Sequence, residues 1–314
     1  MKKDTYSIIG AIVFLLFSGL SLASCNSNGE VVTPINIPTD EECCSAEETF
    51  LAYTFLHNGY LKEIESLRDT IDEKYALSVY SRGGKLHVGY NDIFFALTKF
   101  PNQGYVRDFS VTEITPLMNM SAMGMKHSTP TAVESTIYDE SFPAVQHAWV
   151  SFVMSSTEND YWDLSYKIST KKQSVIHESS RLEVNAIAAG QAWLKSFKVG
   201  DDTFYLSLVN PTDWQTGRNT IQAYVSKKST PATTPYALAS ETFTIETDPR
   251  MPDMGNHTSP DNTPLTKQAD GSYQGNINLT MTGLWRIHLT VKDAKGNIVA
   301  GEEVLSSLYW DVTI

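Results

Sequence analysis

The feature that most limits how this chain can fold is an internal duplication. Tyr75-Ala76-Leu77-Ser78-Val79 is answered by Tyr205-Leu206-Ser207-Leu208, and Gly89-Tyr90-Asn91-Asp92-Ile93 by Gly217-Arg218-Asn219-Thr220-Ile221. Val150 to Met154 is answered by Asn276 to Met281, Trp162 to Ile168 by Trp285 to Val291, and Glu183-Val184-Asn185 by Asp311-Val312-Thr313. The order is kept throughout, which chance would rarely produce. The chain therefore reads as two copies of one domain, joined near Ala188-Ala189-Gly190-Gln191.

Each copy is a run of short β-forming segments separated by turn residues, such as Arg82-Gly83-Gly84, Pro211-Thr212-Asp213, Asp270-Gly271 and Asp293-Ala294-Lys295-Gly296-Asn297. In Trp285-Arg286-Ile287-His288-Leu289-Thr290-Val291 the odd positions are apolar and the even ones polar, so Trp285, Ile287, Leu289 and Val291 should face a core while His288 points off it. No stretch has the length and 3.6-residue period of a strong amphipathic helix. The expected fold class is all-β: two tandem immunoglobulin-like β-sandwiches, residues 49–187 and 188–314.

What precedes them is read as targeting and tether. Lys2 and Lys3 form a basic start, Ile8 to Leu20 an apolar stretch too short for a spanning helix, and Leu22-Ala23-Ser24-Cys25 resembles a bacterial lipobox. Residues 1–24 are expected to be a lipoprotein signal peptide and Cys25 the lipid-bearing residue, with 25–48 an acidic flexible linker. The address expected is the bacterial cell envelope, lipid-anchored in the outer membrane on its periplasmic or surface face. Of three cysteines, Cys43 and Cys44 remain. Being adjacent, they are open to a thiophilic metal, to another chain, or to a strained bridge with each other. No disulfide framework supports the fold. The net charge of -12 and the lack of a basic stripe exclude nucleic acid as a partner.

Five of the nine methionines crowd into two short windows. One is Met251-Pro252-Asp253-Met254-Gly255-Asn256-His257; the other is Met120-Ser121-Ala122-Met123-Gly124-Met125-Lys126-His127, with Met118 just before it. Thioethers are soft ligands suited to Cu(I), need no deprotonation, and imidazole accepts either copper oxidation state. Met251, Met254 and His257, and Met120, Met123 and His127, are the candidate metal ligands, with copper as the expected cofactor. Methionine is also an adaptable filler of cores, and packing is the competing reading of the same residues. Met118 and Met125 are open between ligand and hydrophobic cover; His147 is within possible reach of the first window; Met154 and Met281 belong to strands and to the core.

Asn219, the Met-Pro-Asp-Met-Gly-Asn-His stretch, Asp270-Gly271-Ser272-Tyr273 and Met281-Thr282-Gly283-Leu284-Trp285 together resemble the YtkA-like/FixH-like domain over residues 200–292. That resemblance implies a small β-sandwich of bacterial envelope proteins, with links to copper handling and oxidase assembly. The first copy departs from it, lacking the Pro and carrying extra Met residues and an insertion before Trp162.

No nucleophile elbow, phosphate loop, dinucleotide fingerprint or zinc-type His/Cys spacing is present, so an enzyme is not expected. The expectation is a membrane-anchored lipoprotein that carries or sequesters copper and passes it to an envelope protein. The alternative is a non-catalytic interaction or adhesion protein that binds another protein or a surface glycan. On that reading the Met residues only pack, and tryptophans such as Trp193 or Trp214 stack on sugars if exposed.

Overall fold

Strand-forming sequence dominates the computed structural model, which describes residues 42–100, 104–178, 181–188, 191 and 193–314. Cys25 and the signal segment 1–24 lie outside the described residues, as do Ala189 and Gly190 of the joining stretch. All described residues belong to one compact unit, Asp40–Ile314.

The chain enters through helix α1 (Ala46–Leu56) and continues through β1 (Leu61–Glu63), β2 (Asp69–Ile71), β3 (Tyr75–Arg82), β4 (Leu86–His87), β5 (Gly89–Lys99), β6 (Gly104–Tyr105), β7 (Ser110–Met120), β8 (Met125–His127), β9 (Thr136–Ile137), β10 (Val145–Phe152), β11 (Asp160–Ser169), β12 (Ser174–Glu178) and β13 (Val184–Asn185). These form a seven-stranded sheet in the order β1-β3-β5-β10-β9, with β2 and β6 at its margins, facing a four-stranded sheet β12-β11-β7-β8. One core lies between them, built from inward residues of both, among them Leu77, Val79, Phe95, Val150, Phe152, Met118, Trp162 and Leu164. This is a two-layer β-sandwich.

The second half adds β14 (Leu194–Val199), β15 (Asp202–Asn210), β16 (Gly217–Lys227), β17 (Thr244–Met251), β18 (His257–Thr258), β19 (Thr263–Lys267), β20 (Tyr273–Leu279), β21 (Leu284–Lys292), β22 (Ile298–Ala300) and β23 (Tyr309–Thr313). Here β19 pairs with both β20 and β17 and joins what would otherwise be two layers into one ten-stranded sheet. The sheet curls until its outer strands β14 and β22 touch, and it encloses a second core. Trp285, Ile287, Leu289 and Val291 are all fully buried there, as their alternation requires. His288 points off this core but is buried, because the loop before β23 folds over it: His288 Nδ1 donates to the Ser306 carbonyl at 2.6 Å, and Thr290 Oγ1 donates to the Glu302 carbonyl at 2.6 Å. The solvent-facing role expected of His288 is therefore replaced by a structural one.

The duplication is visible atom by atom. Asn91 Nδ2 donates to the carbonyls of His87 (2.7 Å) and Gly89 (2.8 Å), and Asn91 Oδ1 accepts from the His87 N–H (2.9 Å). Asn219 repeats this with the Gln215 carbonyl (2.7 Å), the Gly217 carbonyl (3.0 Å) and the Gln215 N–H (3.0 Å). Each Asn closes the tight entry to its strand, where Gly89 (φ 93°) and Gly217 (φ 90°) adopt backbone angles that disfavour a Cβ. Likewise Trp162 Nε1 donates to the Met154 carbonyl at 3.0 Å, and Trp285 Nε1 to the Met281 carbonyl at 2.9 Å. Both methionines pack against their cores as expected, but from bends just past the ends of β10 and β20 and not from the strands themselves, and each is only partly buried.

Two features depart from expectation at the N-terminal side. From Glu42 onward the acidic segment is part of the folded body, not tether. Glu42 is buried and takes hydrogen bonds from Lys99 Nζ and Lys172 Nζ, both at 2.8 Å, while Cys44 N–H donates to the Tyr105 carbonyl at 2.8 Å. Ala46–Leu56 is then a helix, started by a capping box in which Ser45 Oγ accepts from Glu48 N–H (3.2 Å) and Glu48 Oε2 from Ser45 N–H (2.8 Å). The helix has no apolar period because only Ala52 and Leu56 are buried, so local capping defines it more than amphipathicity.

The two sandwiches meet through aromatic stacking and backbone bonds. Trp149 of β10 stacks on Tyr224 of β16 at 4.8 Å with a 10° interplanar angle, and Tyr90 lies against both. The segment after β8 pairs with the second sandwich: Ser128 N–H donates to the Ala232 carbonyl (2.7 Å) and Tyr236 N–H to the Thr129 carbonyl (3.1 Å).

Candidate functional site

Each methionine-rich window forms a β-hairpin tip. β7 and β8 pair with Met118 opposite His127 and Met120 opposite Met125; β17 and β18 pair with Met251 opposite His257. Between the strands sits one turn of 3-10 helix, Ser121–Met123 or Pro252–Met254, preceded by Met120 or Met251 and closed by a left-handed glycine, Gly124 (φ 59°) or Gly255 (φ 64°). At the tips the two windows match as their spelling suggests.

At the roots they match differently. Trp162 on β11 pairs with Met118 on β7. Continuing the β17–β21 register one residue past Arg250 and Arg286 brings Met251 opposite Trp285. The counterpart of Met251 in the first copy is thus Met118, and Met120 belongs to a stem two residues longer. The sequence carries this signal in a form the Met-Gly spacing hides. Pro116-Leu117-Met118 answers Pro249-Arg250-Met251, and His127-Ser128-Thr129-Pro130 answers His257-Thr258-Ser259-Pro260. Each copy therefore holds a Trp–Met–His row across three neighbouring strands. Directly opposed residues in antiparallel strands project to the same face with Cβ atoms about 5 Å apart.

Burial divides the methionines into two kinds. Met118 and Met251 are core residues, 0% and 3% exposed, and a Cβ on Gly283 would meet Met251 Cε at 2.9 Å. Met123, Met125 and Met254 are 57%, 56% and 54% exposed, and they are the exposed methionines among the described residues. Met120 is half-buried against the first core. In the first copy Met120, Met125 and His127 share one face, because Met118 and Met120 are two residues apart on β7 and so project to the same side, and their partners follow them. In the second copy Met251 and His257 share a face while Met254 sits exposed on the turn.

His127 Nδ1 lies 2.8 Å from the Ser128 carbonyl, which can only accept, so Nδ1 is the donor in this bond and Nε2 is the nitrogen left to face a ligand. Its ring stands edge-on to Trp162 with centroids 5.5 Å apart. The tip is pinned to the start of β11, where Asp160 Oδ1 accepts from Ser121 N–H at 2.9 Å and the Asn159 carbonyl from Ser121 Oγ at 2.7 Å. A fixed imidazole beside thioethers is a donor set of nitrogen and sulfur alone. Among the described residues no three His, Cys, Asp or Glu side chains gather as a metal site.

The remaining candidates fall elsewhere. His147 does not join the first hairpin; it lies on the sheet facing the second sandwich, with Nε2 2.8 Å from Asp92 Oδ1. Cys43 and Cys44 are unbridged, and burial pushes the Cys44 thiol up to about 12, which disfavours the thiolate a metal would need. Trp162, Trp285 and Trp310 are fully buried, Trp149 and Trp214 are each 6% exposed, and Trp193 is half-buried against the second core.

Residues 198–290 match the YtkA-like family, a span that includes Asn219, Met251, Met254, His257 and Trp285. Two solved structures are similar. One, pT26-6p, is 7% identical with a TM-score of 0.22, over 82% of this chain and 67% of that one. The other is SGBP-B of the Bacteroides ovatus mixed-linkage glucan utilization locus in complex with a mixed-linkage heptasaccharide, 11% identical with a TM-score of 0.15, over 71% of this chain and 63% of that one. No curated relative matches.

Proposed function

We propose that this chain, with its YtkA-like domain over residues 198–290, is a non-catalytic envelope lipoprotein that holds copper at its Met/His hairpins for carriage or sequestration. The observation that carries the reading is that the exposed methionines among the described residues, Met123, Met125 and Met254, all lie on the two hairpin tips. A thioether in water contributes nothing to packing, whereas it suits a soft ion. His127 supports it further, since a ligating histidine ordinarily donates its other ring N–H to a carbonyl, as Nδ1 does to Ser128. Met120, Met125 and His127 would hold the ion in the first copy, with Met123 at the tip; Met254 and His257 would do so in the second, above the buried Met251. The thioethers of such a site bind and release Cu(I) without proton exchange, which fits transfer to a receiving envelope protein. Cys25 is the proposed lipid anchor, and among the described residues no helix is long and apolar enough to cross a membrane.

The test is a Cu(I) titration of the full chain against a competing chelator, with Cys43 and Cys44 changed to Ser. The parent should retain the ion, and Met125→Ala/His127→Gln should weaken binding by about tenfold or more. Equal retention by parent and variant, or none by the parent, sinks the reading.

A further inference from the structure

A second site lies between the sandwiches, and it does not depend on the copper reading. The outer face of β5 and β10 forms its floor, α1 and the residues after it one wall, and β15 and β16 of the second sandwich the other. The volume of this open cleft is about 480 Å³, and an adjoining cavity of about 320 Å³ shares Arg82, Tyr90, Asp92, Val209 and Asn210 and extends the space towards Trp193. Together they make an elongated cleft rather than a single-ring pocket.

We infer that this cleft binds a neutral oligosaccharide. Its polar groups come in pairs that are already oriented but not saturated. Asp92 Oδ1 accepts from Tyr90 OH (2.7 Å) and bonds His147 Nε2 (2.8 Å), while among the described residues Asp92 Oδ2 takes no hydrogen bond. Asn210 Nδ2 donates to Gln222 Oε1 (3.1 Å), which leaves an amide acceptor on Asn210 and an amide donor on Gln222. Such pairs suit hydroxyls, each of which donates and accepts at once. Tyr60, 77% exposed, and Tyr138, 45% exposed, line the same cleft with aromatic rings, and the apolar C–H face of a sugar ring packs on such surfaces. An anionic ligand is disfavoured by the Asp92 carboxylate and by the net charge of -12. The exposed rings come from tyrosines, because five tryptophans are buried and the half-buried Trp193 borders only the adjoining cavity.

The experiment is calorimetric titration of the full chain, in a detergent without a sugar head group, with neutral glucan, xylan and mannan oligosaccharides and with acidic oligosaccharides as comparison. At least one neutral series should bind one per chain. Tyr60→Ala and Gln222→Ala should each weaken it by about tenfold, and Tyr53→Ala, an exposed ring outside the cleft, should leave it unchanged. Addition of a copper chelator should change nothing, which separates this site from the hairpins. The inference is overturned if no neutral series binds, if only acidic ones do, if both cleft variants bind like the parent, or if binding disappears with the chelator.

Discussion

Met118 stands directly opposite His127 across β7 and β8, in line with Trp162 on β11. The Met is sealed in the core, while the His is only partly covered and keeps Nε2 available. One row thus runs from a packed methionine to a proposed ligand within three strands.

That row holds the methionines that pack, Met118 and Met251, whereas the hairpin tips hold those proposed to coordinate. Met118→Ala and Met251→Ala should each destabilise the protein by about 2–5 kcal/mol, because each opens a cavity in a filled core. Met123→Ala, Met125→Ala and Met254→Ala should stay within about 0.5 kcal/mol of the parent yet weaken Cu(I) retention. Denaturant unfolding beside chelator competition reads both. Large stability losses at the exposed positions would mean that they pack after all.

Asn91→Ala and Asn219→Ala should behave alike. Each removes the three hydrogen bonds that clamp the entry to a strand, with a fourth, longer one to the Val150 carbonyl at Asn91, and leaves backbone groups without them. A loss of about 1–3 kcal/mol is expected for each, measured by urea unfolding. A cost at one position and none at the other would show that only one clamp is structural.

Glu42 makes the docked N-terminal segment sensitive to acid. Burial alone would raise its carboxyl, but hydrogen bonds from Lys172 and Lys99, together with their charges, outweigh this and hold it below the ordinary 4.5. A group depressed in the folded state stabilises fully above its unfolded value, and loses that contribution as pH falls through the folded one. Glu42→Gln should therefore cost about 1–3 kcal/mol at neutral pH, and the gap to the parent should close as pH drops below 4.5. A gap independent of pH would show that the ionised carboxylate is not what anchors the segment.

Cys44 should resist alkylation in the native protein. At about pH 8.5 an ordinary thiol is half ionised, whereas burial keeps this one protonated. Peptide mass spectrometry should find Cys44 unmodified until guanidinium is added, with the half-buried Cys43 modified first. Equal rates at both thiols in native protein would contradict the docking of this segment.

The N-terminal helix and the hairpin roots illustrate where local reading stops. The capping signal Ser45-Ala46-Glu47-Glu48 was present in the chain, but a helix with only two buried residues leaves no apolar period to find. The root equivalence was likewise written as Pro-x-Met and His-Ser/Thr-Ser/Thr-Pro, but a stem longer by two residues moved the conspicuous Met-x-x-Met-Gly spelling out of step with it.

By itself the amino-acid order determined the all-β class, the duplicated strand pattern, the core-facing side of strands such as β21, and the concentration of Met and His in two loops. These follow from period-two alternation and turn chemistry, which are local. Only the tertiary structure decided which methionines are buried, that β19 closes the second sheet into a single curled layer, that Glu42 and α1 belong to the body, and that a cleft opens beside the Trp149–Tyr224 stack. Each of these depends on register or on contacts between residues far apart in the chain. Pattern fixes which way a side chain points from its strand, but only the neighbouring strand and its register fix what it meets.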